Sequence, residues 1–149
     1  MRITKYIFCL LSILNVGCES ESVDINSPVS TKVFTIQGDF HDIISDDFNL
    51  FDATLTEGIL TLEVGYSGGC EEHEFTIVWP DAIIAIYPPE FSIYVTHDGN
   101  GDMCEAYLKE TLEIDISDNP LQINAATLEV SKLGVVNASN SGQAFYPND

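Results

Sequence analysis

The sequence predicts an all-β domain, specifically an antiparallel β-sandwich, with a small β-barrel as the alternative. Short segments in which apolar and polar residues alternate recur from Val33 onward, and turn-forming residues separate them. None of these segments shows a convincing helical period. About seven such strands in a chain of 149 residues are typical of a sandwich or a small barrel.

The strands can be assigned in order along the chain. In the third of them, Leu60, Leu62 and Val64 share one face. Pro80 ends the fourth strand. Trp79, just before it, is expected in the core, with a platform for a ligand as the alternative. The candidate strands are Val33–Gln37, Phe48–Thr54, Ile59–Tyr66, His73–Trp79, Ile83–Tyr87, Phe91–His97, Cys104–Ser117 and Thr127–Leu133.

The first 17 residues have the pattern of a secretory signal. Arg2 and Lys5 precede the apolar run Tyr6–Leu14, which is too short to span a bilayer as a mature helix. The end of the run, Gly17-Cys18, resembles a bacterial lipobox. That resemblance implies cleavage before Cys18, lipidation of Cys18, and a lipid anchor in the outer membrane of the cell envelope.

The rest of the chain divides into three parts. Residues 18–31 are expected to form the lipidated cysteine and a disordered polar tether, residues 32–134 the β-sandwich, and residues 135–149 a loose C-terminal tail. The acidic start of the tether, Glu19-Ser-Glu21, resembles surface-export signals and favours display on the cell surface.

The charge of the chain restricts its partners. The formal net charge is −19, and removal of residues 1–17 with their two basic residues brings it to −21. The only basic residues left are Lys32, Lys109 and Lys132. A surface this acidic argues against nucleic acid as a partner. We expect the partners to be the membrane, through the lipid, and an envelope protein or a small ligand.

Two cysteines remain in the exported domain, Cys70 and Cys104. Two cysteines in an oxidising compartment most often form one disulfide. Strand parity also directs His73, His97 and Cys104 inward, each at a strand end beside a glycine turn. The four side chains meet only if residues 80–90 make no net crossing of the sheet.

Two other interpretations of this cluster remain open. Cys70, His73, His97 and Cys104 are suitable ligands for zinc or copper, so the alternative is a Cys2His2 metal site. The other is a pH- or redox-responsive rim, in which nearby carboxylates tune the histidines. Those carboxylates are Glu71, Glu72, Glu74 and Asp98.

The loop before Cys104 suggests a weaker metal hypothesis. Asp98, Asn100 and Asp102 place oxygen side chains at alternate positions, as at the start of a calcium loop. The sixth and twelfth positions hold Met103 and Lys109, so the loop is not an EF-hand. A turn capped by its own side chains is the competing interpretation.

The sequence offers no established catalytic arrangement. It has no Gly-x-Ser-x-Gly elbow, no His-Glu-x-x-His pair and no phosphate-binding glycine loop. We therefore expect a non-catalytic protein. The remaining histidine, His41, lies among aspartates and is interpreted as a surface residue.

Residues 58–117 also carry a resemblance. The residues that carry it are Gly-Gly-Cys70-x-x-His73-x-Phe75, followed by His97-Asp98-x-Asn100-Gly-Asp102-x-Cys104-Glu-Ala. This pattern resembles that of small uncharacterised bacterial lipoproteins. More distantly it is similar to the C-terminal β-sandwich of NigD-like lipoproteins. The resemblance implies a sandwich and an envelope location, and it implies no activity. The resulting hypothesis is a lipid-anchored binding or accessory module with a structural disulfide.

Overall fold

The structure is a computed structural model that describes residues 31–38, 43–83 and 86–148. The signal, Cys18, residues 19–30 of the tether and His41 lie outside these ranges. Thr31, which was assigned to the tether, begins the first strand. The elements are β1 (Thr31–Gln37), β2 (Asn49–Thr56), β3 (Ile59–Gly68), β4 (His73–Trp79), β5 (Glu90–Asp98), β6 (Ala106–Asp115), α1 (Ala125–Val130), β7 (Lys132–Asn137) and β8 (Ala144–Phe145). Within the described ranges, no helix is long and apolar enough to cross a membrane.

The strands form two sheets that pack face to face, which confirms the all-β sandwich. One sheet has five strands in the order β1-β4-β5-β7-β8, and the other has three in the order β2-β3-β6. The described strands divide between two separate sheets and do not close into the barrel that was the alternative.

The pairing within the larger sheet is mixed, so the prediction of a wholly antiparallel sandwich was wrong in this respect. β1 runs parallel to β4, and β5 runs parallel to β7. The remaining strand pairs are antiparallel. Parallel neighbours need long connections, and β5 reaches β7 through β6 and α1.

The inward faces of both sheets supply one hydrophobic core. Leu60, Leu62 and Val64 of β3 are fully buried, as their alternation predicts, and they face Ile77 and Trp79 of β4 across the core. Burial of Trp79 confirms its assignment to the core.

The connection between β4 and β5 decides where the predicted site residues lie. β4 and β5 are direct antiparallel neighbours. The connection between them therefore reverses the chain, and β5 runs back to the rim from which β4 started. Residues 83, 86 and 87 are the described part of the candidate strand Ile83–Tyr87. None of these three residues belongs to a strand. The condition for convergence is therefore met.

The C-terminal quarter differs most from the prediction. The candidate strand Thr127–Leu133 divides into the helix α1 and the start of β7. The Asn124 side chain caps α1 by accepting a hydrogen bond from the Thr127 N–H at 2.9 Å, and Leu128 anchors the helix in the core. Instead of a loose tail, residues 135–148 contain the second half of β7 and all of β8.

Candidate functional site

The disulfide between Cys70 and Cys104 closes one rim of the smaller sheet. Gly68 of β3 pairs with Ala106 of β6, and each cysteine lies two residues beyond that pair. Their Cα atoms are 6.0 Å apart, within the usual range for a disulfide, and the bond joins residues 34 positions apart. The predicted structural disulfide is confirmed.

Asp102 holds the two loops around the disulfide together. Its Oδ2 atom accepts hydrogen bonds from the backbone N–H groups of Gly69, Cys70 and Glu71 at 2.8, 2.8 and 3.0 Å. Its Oδ1 atom accepts from the N–H of Cys104 at 2.8 Å. Only 1% of the side chain is exposed. These donors stabilise the carboxylate and hold the pKa of Asp102 well below its usual range, with the N–H of Cys104 contributing most.

Asp102 also connects the disulfide to the buried histidines. His73 Nε2 lies 3.2 Å from Asp102 Oδ2, and His73 Nδ1 lies 2.8 Å from His97 Nε2. The two imidazole rings are stacked, with centroids 5.1 Å apart and planes 8° apart. The ring of Tyr66 packs against both, at centroid distances of 4.5 and 4.9 Å. We call Cys70, Cys104, Asp102, His73 and His97 the rim cluster.

The geometry of the rim cluster limits its charge. Asp102 is ionised and accepts, so His73 Nε2 carries a proton. A hydrogen bond between His73 Nδ1 and His97 Nε2 requires one of these two nitrogens to be bare. The histidine pair therefore carries at most one positive charge while this hydrogen bond persists.

Burial is the main cause that lowers the pKa of His97, and repulsion from His73 adds to it. The charges of Asp46 and Asp98 and a hydrogen bond with the Asp47 backbone act in the opposite direction and raise the pKa of His97. Of the carboxylates predicted to tune the histidines, Asp98 therefore acts on His97. Nearby, burial raises the pKa of Tyr66 to about 12, and the Tyr66 hydroxyl donates to Glu110 Oε1 at 2.8 Å.

The structure divides the four predicted metal ligands into two pairs. The sulfur atoms of Cys70 and Cys104 are bonded to each other, and His73 and His97 are hydrogen-bonded to each other. Among the described residues, the group of three potential ligand atoms that all lie within 4.8 Å of one another comes from Cys70, Asp102 and Cys104. A Cys2His2 site would require the reduced protein, and for that form it stays a prediction.

The loop that resembled a calcium site is capped by its own side chains. Asp98 Oδ1 accepts from the N–H of Asn100 at 2.8 Å, while both oxygens of Asp102 are turned inward to the donors described above. The structure thus assigns Asp102 to the rim cluster. Asn100 has a φ of 52°, which suits a turn.

A groove of about 420 Å³ lies beside the rim cluster. Three segments line it, residues 47–49, 65–67 and 139–140, together with Tyr107. We call it the rim groove. Its volume is in the usual range of ligand pockets, and its described lining is rich in hydroxyl and amide groups.

Sequence reasoning missed a chain of side-chain amides that ends at the rim groove. Asn137 Nδ2 donates to Gln143 Oε1 at 2.7 Å, and Gln143 Nε2 donates to Asn49 Oδ1 at 3.2 Å. Asn49 Nδ2 then donates to the hydroxyl oxygen of Tyr107 at 2.9 Å. We call Asn137, Gln143, Asn49 and Tyr107 the amide chain. Asn137 and Gln143 lie in the segment expected to be a loose tail, so no sequence signal pointed to them.

Backbone groups fix the direction of the amide chain. The N–H of Leu50 donates to Gln143 Oε1 at 3.0 Å, and the N–H of Ser139 donates to Asn137 Oδ1 at 2.9 Å. The amide oxygens of Asn137 and Gln143 are thereby held toward backbone donors, which directs their NH2 groups along the chain. The Asn49 oxygen accepts from Gln143, which directs the Asn49 NH2 group to Tyr107. Because the Tyr107 oxygen accepts from Asn49, the Tyr107 O–H proton is available to another acceptor.

No family model matches the chain, and no curated protein sequence matches it. Several solved structures share the fold, and two of them are as follows. One is a protein of unknown function, DUF1344, from Bacteroides vulgatus, with a TM-score of 0.54, 11% identity, and coverage of 79% of this chain and 56% of that one.

The other is a protein from Parabacteroides distasonis named as toxin-related, with a TM-score of 0.51, 17% identity, and coverage of 81% of this chain and 62% of that one. The chain thus spans less than two thirds of the length of either neighbour. At these identities the likeness concerns the fold alone.

Proposed function

We propose that this chain is a lipid-anchored protein of the cell envelope, with a non-catalytic sandwich domain that binds a ligand in the rim groove. The lipobox-like end of the signal at Gly17-Cys18 supports the anchor. The anchor places the protein in the outer membrane, and the acidic start of the tether favours exposure at the cell surface.

The observation that carries the binding role is that the rim cluster holds both walls of the rim groove. On one side, the Asp46 N–H donates to the His97 carbonyl at 2.8 Å, and the Gly99 N–H donates to Asp46 Oδ2 at 2.9 Å. These bonds fix the chain that enters wall 47–49. On the other side, Asp102 holds Gly69, two residues after wall 65–67. A groove with fixed walls is suited to binding because little order is lost when a ligand enters.

The chemistry of the rim cluster also favours a structural role for the histidines. His73 and His97 are 0% and 4% exposed, and their hydrogen-bonded nitrogens face each other and Asp102. A general base or a nucleophile needs access to a substrate proton or a reacting atom. The cluster is therefore better suited to fixing the rim than to performing a reaction.

The anchor can be tested by fractionation. The full chain is expressed in a Gram-negative host with an alkyne-labelled fatty acid. The variant Cys18→Ser is expressed in parallel, and Cys9→Ser is the control because Cys9 lies inside the signal. The wild type and Cys9→Ser are expected to be labelled and membrane-bound. Equal labelling of Cys18→Ser would overturn the anchor.

The binding role can be tested separately by amide NMR of the full chain with a chemically mixed fragment library. We expect some fragments to shift the amides of residues 47–49 and 65–67. If no class of fragment shifts these amides, the binding role is overturned, whatever the result for the anchor.

A further inference from the structure

The charge of the rim groove restricts the chemistry of its ligand. Among the described residues that line it, Asp47 is the only charged one, and none is a lysine. Lys109 lies instead in the neighbouring pocket, with its Nζ atom 4.8 Å from the centre of the Phe51 ring. An anionic ligand would meet a carboxylate without a compensating cation, in a chain of formal charge −19. The groove is therefore suited to a neutral ligand.

The polar groups in the groove both donate and accept. The Tyr107 O–H proton remains available because its oxygen accepts from Asn49. In the described part of the chain, the Asp47 carboxylate and the Ser67 hydroxyl make no hydrogen bond to another residue, and both residues are exposed. Hydroxyl groups match such a set because each one donates and accepts at once.

Tyr107 adds an aromatic surface at a fixed position. A Cβ on Gly65 would lie 2.5 Å from the Tyr107 hydroxyl oxygen, so the glycine gives the tyrosine its room on the sheet. The amide chain holds the hydroxyl end, while 50% of the residue stays exposed. A preorganised amphipathic ring beside hydrogen-bonding groups is suited to a ligand with apolar C–H faces and polar edges.

We propose that the rim groove binds a neutral carbohydrate, with Tyr107 as the stacking and donating residue and Asp47 and Ser67 as hydroxyl partners. This inference rests on the proposed binding function and adds its ligand class. A metal ion is a poor fit because the described lining supplies one carboxylate only.

The test uses the full chain in detergent and isothermal titration calorimetry. The probes are maltotetraose, cellotetraose, mannotetraose, xylotetraose and N,N′-diacetylchitobiose, with trigalacturonic acid as the anionic control. We expect at least one neutral probe to bind with a Kd of about 1 mM or below and the anionic probe to bind at least tenfold more weakly.

The variants are chosen to separate binding from folding. Tyr107→Ala is expected to weaken binding tenfold or more, and Tyr107→Phe, which keeps the ring, to weaken it less. Tyr146→Ala is the matched control: Tyr146 is 56% exposed and also packs over a glycine, Gly134, outside the groove. It is expected to leave the Kd unchanged. Thermal melting of each variant checks that it is folded.

Three results would overturn the carbohydrate proposal: no binding of any neutral probe, preference for the anionic probe, or equal affinities of Tyr107→Ala and wild type. The fragment library then decides how far the failure extends. Groove shifts caused by other fragments would remove the ligand class and keep the binding function. No shifts at all would remove both.

Discussion

His73 Nδ1 lies 2.8 Å from His97 Nε2, and the same His73 ring reaches Asp102 Oδ2 through its other nitrogen. This contact connects the larger sheet, which carries both histidines, to the disulfide loops of the smaller sheet. Because Asp102 is held by four backbone N–H groups, the histidine pair depends on the position of those loops.

The stability of the domain should depend on pH through His97. Its pKa is lowered from 6.5 in the folded state, so the unfolded chain binds the proton more tightly. The free energy of unfolding is expected to fall as the pH drops below about 6.5, by at most about 1.4 kcal/mol per pH unit for one proton. Asp102 contributes only below about pH 4.

Urea denaturation between about pH 5 and pH 8 measures this effect, since the window spans the ordinary pKa of histidine. His97→Gln should flatten the slope below pH 6.5. A wild-type stability that rises on acidification through this range would contradict the assigned direction of the His97 shift.

Substitution of Asp102 by Asn should destabilise the rim strongly. An amide has one acceptor oxygen where the carboxylate has two, and its NH2 group would face backbone donors. We expect a clearly lower melting temperature and faster amide hydrogen exchange at Gly69, Cys70 and Glu71. Asp98→Asn is the control in the same loop, because Asp98 is exposed and, among the described residues, accepts a hydrogen bond from Asn100 alone. Equal effects of the two substitutions would contradict the role of Asp102.

Loss of the disulfide should lower stability without abolishing the sandwich. The chain-entropy model gives about 3–4 kcal/mol for a loop of this length. The double substitution Cys70→Ser with Cys104→Ser should therefore lower the midpoint of urea unfolding, and the wild type with reductant should behave alike. An unchanged midpoint would show that the bond contributes little. Metal binding by the reduced wild type, absent from the double variant, would favour the Cys2His2 alternative.

Gly68 should tolerate no side chain. A Cβ at this position would overlap the His73 ring and approach Asp102, and the residue has a φ of 153°. We expect Gly68→Ala to cost about 1–3 kcal/mol, in the range of overpacked cores. Gly38→Ala is the matched control, since its Cβ would meet Val78 at an ordinary distance of 3.8 Å. Equal stabilities of the two variants would be inconsistent with the packing described for His73.

The parts of the fold that the sequence predicts are those governed by local alternation. In Ile59–Gly68 and His73–Trp79, every second residue is buried, and all of these except His73 are apolar or glycine. Both strands and their core faces therefore follow from period two. The position of the disulfide follows from the same parity once the β4–β5 hairpin is assumed. This explains why Cys70, Cys104, His73 and His97 were all recognised as one cluster.

The remaining parts depend on contacts between residues distant in the sequence. The parallel pairing of β1 with β4 has no local signal, and α1 has six residues whose start is set by the Asn124 cap. Asp102 lies among alternating oxygen residues, which suggested calcium, whereas three of its four backbone donors come from a loop 31 to 33 residues earlier. The amide chain was missed because Gln143 reaches Asn49 across 94 positions.

The most direct test of the account is the intact mass of the full chain purified from the envelope of a Gram-negative host. The sample is alkylated before and after denaturing reduction. We expect the mass of residues 18–149 with added acyl chains, no alkyl label before reduction, and two labels after it. An unlipidated chain, or one that takes up two labels without reductant, would contradict the lipid-anchored, disulfide-bonded protein proposed here.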